Sequence, residues 1–321
     1  MGEGARSARG NVNVSLENRN MIRTVTGDID EINGRILAHE HLQIDLSAQK
    51  GPTNKVGAAE EDAVVEDLLA AKEFGLAAIT DLSAPRWGRD PVALHRISER
   101  SGVHVVCAAG YYWDPFPDIA LASSVEDLRD AMIAEIETGT DGTNVRCGVI
   151  KVGTAKEPNE PAERLFKAAA LASRATGAPV ITHTSNTGQA AWHVRVLEGA
   201  GMDMTHAVIS HMGAAKDVSE LVEVGRCGAF MGVDKVSFPK GPTNVELADL
   251  VRDACDKGLA RQLILSSDVA RRTMLSRYGG KGYPTVMRDF VPMLAERGIP
   301  AATIESMLRD NPAKMLTFAP I

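Results

Sequence analysis

Residues 35–41, Arg35-Ile36-Leu37-Ala38-His39-Glu40-His41, decide the fold. This short apolar run ends in metal-binding side chains. Four later runs end the same way: CGVIKVG (147–153) carries Lys151, APVITHT (178–184) His183, AVISHM (207–212) His211 and LILSSD (263–268) Asp268. Each reads as a buried strand followed by small or polar residues and then a helical stretch. Ligands at the C-terminal ends of several parallel strands build the active site of a (β/α)8 barrel. The expected class is therefore α/β: a single-domain TIM barrel with a binuclear metal site at the C-terminal end of its strands.

Within a strand, residues two apart share a face. His39 and His41 then enter the barrel mouth together, and Glu40 points toward the surrounding helices. An HxH pair alone is weak, because two histidines in a strand are more often structural. His183, His211 and Asp268 change that balance by closing three more runs. Four histidines and a carboxylate suit a borderline divalent ion such as Zn2+, with Mn2+, Co2+ or Fe2+ also able to bind.

Lys151 ends a buried strand, where an unpaired charge is costly. One reading has it snorkel to solvent or pair with a carboxylate. The other has its neutral amine take up carbon dioxide, giving a carbamate (N6-carboxylysine) that bridges two metals. Burial favours the neutral amine this chemistry needs. The residues alone leave both readings open.

The rest of the chain alternates. Eight apolar runs lie near residues 35–41, 76–82, 103–109, 146–152, 178–183, 207–211, 228–233 and 262–267. Amphipathic stretches between them are clearest at Glu60–Phe74, Val125–Glu137, Ala162–Thr176 and Val245–Lys257. Strands alternating with helices imply parallel βαβ units. Ligands on the first, fourth, fifth, sixth and eighth runs imply a closed barrel, since an open doubly wound sheet gathers its site at one switch point. His95, His104, His193 and His206 lie inside helices or at strand starts and read as structural. Glycines 225, 228 and 232 match no phosphate cradle and read as strand entry.

The order HxH, Lys, His, His, Asp resembles the phosphotriesterase family of the amidohydrolase superfamily. The similarity runs from Thr24 to Phe318 through TVTGDID, GRILAHEHLQIDLS, AAGYYWDPF, VIKVGT, PVITHT, ISHMG, LSSDVARR and DNPAKML. HEHLQIDLS and DVARR…GGKGY look most like the phosphotriesterase homology proteins, some of which carry Glu at the bridging position. Lys151 stands there in this chain, as in the phosphotriesterases and lactonases, so the resemblance implies the carbamate. It further implies one ion held by His39, His41 and Asp268, the other by His183 and His211, with Lys151 between them. A tyrosine after the third strand lies beside the metals in similar lactonases; of Tyr111 and Tyr112, Tyr112 is the expected active one. Lys235 follows Asp234 where relatives put His or Arg, and is a candidate catalytic residue.

Arg271, Arg272 and Lys240 are expected either to form a solvated rim or to clamp an anionic part of the substrate. The implied chemistry is attack by a hydroxide shared between two ions, with Asp268 moving the proton to the leaving group. That chemistry serves lactones, carboxylic esters and phosphotriesters alike. A lactone or ester, with an anionic or phosphorylated group, is the favoured substrate. An organophosphate triesterase is the alternative, and a non-catalytic binding protein on the same fold is the reading from another class.

Composition agrees. The 321 residues are 44% hydrophobic but only 4% aromatic, so the core is aliphatic. A net charge of −7 with no basic stripe argues against nucleic acid. No apolar run nears the roughly 18 residues that span a membrane, and the N-terminus lacks the apolar segment of a secretory signal. Four dispersed cysteines suit free thiols in the cytoplasm. A small-molecule substrate and a homodimer are the expected partners. Residues 1–20 read as a disordered tail or a misassigned start, with Met21 the candidate first residue.

Overall fold

The computed structural model describes residues 21–112, 116, 118–154 and 157–321. The expected tail, residues 1–20, lies outside them, as do residues 113–115 of the YYWDPF motif. Eight parallel strands form one sheet: β1 (Arg35–Glu40), β2 (Leu76–Asp81), β3 (His104–Tyr111), β4 (Val149–Gly153), β5 (Val180–His183), β6 (Ala207–Ile209), β7 (Phe230–Val233) and β8 (Leu263–Leu265). They pair in sequence order from β1 to β8, each beside the next, as right-handed βα crossovers require. Between them run α1 (Glu61–Lys72), α2 (Pro91–Ser101), α3 (Val125–Glu137), α4 (Glu160–Thr176), α5 (Ala190–Gly199), α6 (Val218–Gly225) and α7 (Asn244–Asp256). The fold is the expected (β/α)8 TIM barrel.

Local chemistry sets the helix ends. Asp90, Ser124, Asn159 and Thr243 each accept a first-turn backbone N–H, and Ser124 and Thr243 complete capping boxes with Asp127 and Glu246. Gly177 ends α4 at φ 78°, where a Cβ would also lie 2.2 Å from the Ala319 carbonyl oxygen.

Two apolar clusters divide the strand residues by alternation. Ile36, Ala38, Val106, Ala108, Val149, Ile181, Val208 and Ile264 fill the barrel interior, closed at its N-terminal end by Ile22, Ile32, Met315 and Leu316. Leu37, Val105, Cys107, Ile150, Val180, Ile209 and Leu265 pack outward against the helices. On this phase His39 and His41 would face outward. A register shift between Leu37 and Glu40 reverses it, so that both imidazoles turn into the mouth.

The joint between β8 and β1 is made at that same end. Asp268 N–H donates to the His39 carbonyl at 3.2 Å, and His39 N–H to Ser266 Oγ at 3.0 Å. Glu40, fully buried, accepts from Ser267 N–H (2.6 Å), Ser267 Oγ (2.7 Å) and Val269 N–H (2.7 Å). Its side chain thus seals the seam, a correction to its expected place among the helices: the backbone donors of the eighth loop lie closer than any helix.

The loop after β2 supplies Arg89, which holds the end of β3. Its buried guanidinium donates to the Ala108 carbonyl at 2.7 Å and pairs with Glu135 and Asp141. Glu135 in turn accepts Gly110 N–H at 3.0 Å, just before the two tyrosines. Replacing Arg89 with Met removes the cation and leaves two partly buried carboxylates facing each other. We expect a loss of about 2–4 kcal/mol, at the low side of a broken buried pair because the carboxylates keep some water. That lowers Tm by roughly 5–15 °C. A circular-dichroism melt shifted by less than about 2 °C would show that the cluster does not anchor β3.

Candidate metal centre and active site

At the C-terminal end of the strands a cavity of 290 Å³ is lined by His41, Leu46, Lys50, Tyr112, His183, Ser185, Lys235, Phe238, Asp268, Ala270 and Arg271. A larger groove of 940 Å³ lies at the opposite end, around Arg35, Glu73, Glu305 and Arg309. Among the described residues, the His/Asp clusters that could hold a metal lie only at the first of these ends.

His39, His41 and Asp268 converge, all buried. Asp268 Oδ1 lies 3.4 Å from His41 Nε2 and 3.8 Å from His39 Nε2. The other ring nitrogens are occupied: His41 Nδ1 meets Ser83 Oγ at 2.8 Å, and His39 Nδ1 meets Asp234 Oδ2 at 2.8 Å and Ser210 Oγ at 3.1 Å. The Asp234 carboxylate can only accept, so it fixes His39 Nδ1 as the protonated atom and leaves His39 Nε2 its lone pair. His211 Nδ1 likewise donates to Asp234 Oδ1 at 2.8 Å, so its Nε2 lone pair faces His183 Nδ1 at 2.9 Å. His183 Nδ1–H donates to that lone pair, which places the two imidazoles edge to edge at the mouth. Lys151 Nζ lies between the two groups, 3.4 Å from His39 Nε2 and 3.1 Å from the Thr182 carbonyl.

The electrostatics suit cation binding. Burial, then Lys151, pushes the His39 pKa down to about 3. Burial, then His211 and Lys151, holds His183 well below its ordinary value. The His39 and His183 rings are neutral at pH 7, as metal ligation would require. Burial pushes Lys151 down to about 7 against the pull of Asp268 and Asp234, so much of its amine is neutral. Burial works to raise Asp268, but the His41 hydrogen bond and the neighbouring imidazoles hold it well below the carboxylate range. Burial, then Asp268, raises Tyr112 far above the phenol range, so it stays a neutral phenol with an O–H to donate. The buried donor set, two clusters flanking one lysine, is compatible with a binuclear metal site.

Two ligands need unusual backbone. His211 (φ 62°) and Asp268 (φ 53°) are both left-handed, each one or more residues past its strand end. Such strain costs on the order of 1–3 kcal/mol per residue and persists where surroundings over-determine it. For His211 the restraint is Asp234, which also accepts its N–H at 2.9 and 3.1 Å.

The structure divides the expected substrate residues. Tyr112 is buried beside the centre, its ring 4.9 Å from that of His183. Tyr111 is turned the other way, its phenol raised by burial and then Glu135; the strand alternation that brings Tyr112 in sends Tyr111 out. Arg271 lines the cavity, whereas Arg272 stacks over Tyr278 at 5.4 Å and reaches Glu60 at 3.9 Å. Arg271 is extended (φ −151°, ψ 145°), so adjacent side chains must part. Lys240 is exposed and outside the cavity lining. Lys235 lines it.

Three residues were missed as site members. Lys50, in the first loop, lines the cavity, its pKa lowered by desolvation and by Arg271, Lys235 and Lys240 against Asp268. Phe238 forms apolar wall. Asp234 joins His39 to His211; its place after the seventh run was visible, but not that its carboxylate lies back across two strands.

Residues 20–316 match the phosphotriesterase family. The phosphotriesterase homology protein of Escherichia coli is 30% identical, with 88% of this chain and 97% of that one aligned. Its crystal structure, complexed with phosphate in the active site, superposes with a TM-score of 0.86 over 88% of this chain and 99% of that one. The N-acetyltaurine hydrolase of Rattus norvegicus is 30% identical over 92% of this chain and 98% of its own. A lactonase from Listeria monocytogenes has the same fold, with a TM-score of 0.86 at 24% identity over 93% of this chain and 99% of that one. With its barrel, its ligand order and its matched length agreeing, this chain belongs to the phosphotriesterase family and is a hydrolase of that family.

Proposed function

We propose that the chain is a binuclear metal-dependent hydrolase of a small lactone or carboxylic ester that carries an anionic group. The observation that carries this reading is the cationic wall of Lys50, Lys235 and Arg271 facing Asp268 across a cavity of 290 Å³. That volume is at the small end for ligand pockets. A neutral phosphotriester has no use for three cations. The phosphate in the active site of the Escherichia coli relative supports a site that accepts anions. A second reading keeps the same site with an N-acyl amide as substrate. It is favoured by the N-acetyltaurine hydrolases, whose named substrate joins an acyl amide to a sulfonate.

His39, His41 and Asp268 would hold one ion, His183 and His211 the other, and Lys151 as N6-carboxylysine would span both. Zn2+ suits this donor set best; Mn2+, Co2+ and Fe2+ also fit. Two bound divalent ions supply Lewis acidity and lower the pKa of a water to near 7. Asp268, ionised and beside His41, accepts the attacking water's proton and returns it to the leaving oxygen or nitrogen. Tyr112 stays protonated and donates a hydrogen bond to the substrate. Lys235, Arg271 and Lys50 bind the anionic group by charge-assisted contacts. Leu46, Phe238 and Ala270 exclude water around the reacting bond. Free thiols at all four cysteines accord with a cytoplasmic protein, and we retain the homodimer as the expected assembly. No described helix is long and apolar enough to cross a membrane.

The deciding experiment is a hydrolysis screen of zinc- or manganese-loaded protein. It sets lactones and aryl esters with and without an anionic group beside N-acyl amino sulfonates and dialkyl aryl phosphates. Turnover only of the neutral phosphates would overturn the reading; turnover of nothing would leave a binding protein on this fold.

Metal analysis should give two ions per chain, with an intact-protein mass in native conditions heavier by one carbon dioxide. Lys151→Ala should lose that mass and at least one ion. A saturated protein holding a single ion, with unmodified Lys151, contradicts the bridge.

Asp268→Asn should keep the fold and much of the metal while kcat drops roughly 10²- to 10⁴-fold. A variant within a few-fold of the parent would assign the proton transfer to another group.

Arg271→Ala should lower the ratio of kcat/KM for anionic over matched neutral substrate by roughly 10- to 150-fold, the worth of one charge-assisted contact of about 1.5–3 kcal/mol. Arg272→Ala should change that ratio by less than about threefold, since its side chain faces Glu60 and Tyr278. Equal effects at the two positions would refute the division of the pair.

A further inference from the structure

Lys235 and Arg271 share one neighbour. Lys235 Nζ lies 5.4 Å from the centroid of the Phe238 ring, and Arg271 Cζ lies 5.0 Å from it. All three side chains line the cavity opposite His183 and Asp268. Among the described residues neither cation forms a salt bridge, in contrast to Arg272 next door.

The turn that carries the ring is pinned, and the half-buried ring packs against the core. Phe238 N–H donates to the Lys235 carbonyl at 3.1 Å, a turn that folds the ring back over the lysine. Ser237, inside that turn, is left-handed at φ 58°. Its N–H donates to Asn244 Oδ1 at 2.7 Å, and its hydroxyl meets Asn244 Nδ2 at 3.0 Å and Thr285 Oγ1 at 2.8 Å. A strained non-glycine residue pinned from the start of α7 and from the segment after β8 marks a loop fixed for a purpose.

The chemistry of the ring gives that purpose. Two like charges at one wall repel, and something must hold them in place. A carboxylate between them would do so, but it would occupy their N–H groups. The negative face of a phenyl ring attracts both cations and accepts no strong hydrogen bond. The three N–H donors of the lysine and the five of the arginine stay available to the cavity.

We infer that Phe238 is a positioning residue. It presents Lys235 and Arg271 as a preformed clip for a compact oxyanion on the substrate, a carboxylate, phosphate or sulfonate. This rests on the anionic-substrate reading above and adds how the selectivity is built. The ring orients the cations; the cations make the contacts.

The test measures binding of methanesulfonate, a compact sulfonate that ligates metals poorly, to the metal-loaded protein by calorimetry. The same variants are assayed on an anionic substrate and its neutral analogue. Phe238→Leu keeps apolar bulk and loses the π face, so its Kd should rise roughly 5- to 30-fold, the worth of two cation–π contacts. KM for the anionic substrate should rise by a similar factor, and kcat should change less. Phe238→Tyr should restore binding to within about threefold. In Arg271→Ala the same Leu substitution should cost clearly less, because one of the two cations it orients is gone. If thermal melts show Phe238→Leu poorly folded, Phe238→Met serves in its place.

Wild-type binding in Phe238→Leu, with binding weakened in Arg271→Ala, would overturn the inference and leave the anionic-substrate reading standing. A Tyr variant as weak as Leu would also overturn it, since shape rather than the ring face would then matter. Unchanged binding in both Arg271→Ala and Lys235→Ala would remove the anionic reading itself.

Discussion

The mouth of this barrel depends on carboxylates buried where no solvent reaches them. Glu40, Asp81 and Asp234 are each 0–1% exposed. A buried anion costs several kcal/mol unless donors surround it, and here the donors are the backbone and ligands of the site. Glu40 gathers Ser267 and Val269, on both sides of Asp268. Asp81 accepts the N–H groups of Leu42, Gln43 and Ser83, just past His41 and beside its ring partner. Asp234 takes His211 N–H, His211 Nδ1 and His39 Nδ1. Each carboxylate is satisfied only when neighbouring strand ends hold one arrangement. The cost of burying them is thereby converted into rigidity of the candidate ligand set, and Asp234 also sets the tautomers of His39 and His211.

Asp234 shows how far this reaches down the chain. Its carboxylate folds back along its own strand, where a Cβ on Gly232 would lie 2.4 Å from Oδ2. Glycine at 232 therefore leaves room for the carboxylate that holds His39 and His211. Burial of Glu40 raises its pKa to about 8 despite its three hydrogen bonds. That seam between β8 and β1 lies directly behind Asp268.

The number and order of the eight strands were legible because a buried parallel strand needs a continuous apolar run, and each run here is short and bounded. The candidate ligands could be picked out because a barrel delivers chemistry at strand ends, and the structure brings His39, His41 and Asp268 together there. The phase was not legible. Alternation from Ile36 and Ala38 sends His39 outward, and only a register shift after Leu37 corrects it. Nor could sequence show that His211 and Asp268 lie past the regular strand and turn inward through left-handed backbone. These departures are imposed by Asp234 and by the Glu40 seam, contacts between residues 23 and 227–229 positions apart. Local pattern carries no trace of such pairs. The same holds for Lys50, brought to the cavity by a first loop whose path is set by its own pairing, Ile44–Asp45 against Lys55–Val56.

The candidate metal ligands and the cationic wall rest on different kinds of structure. The candidate ligands sit at or just past strand ends held by buried carboxylates, where a shift of one residue would cost several contacts at once. The cations sit on loops, where orientation turns on single residues. Arg271 and Arg272 make the point: Arg271, extended, lines the cavity, while Arg272 opens a 3-10 turn and reaches Tyr278 and Glu60. The barrel can thus keep one hydrolytic centre while its wall is rewritten, and the wall of this chain is written in positive charge with a phenyl ring between two of its cations.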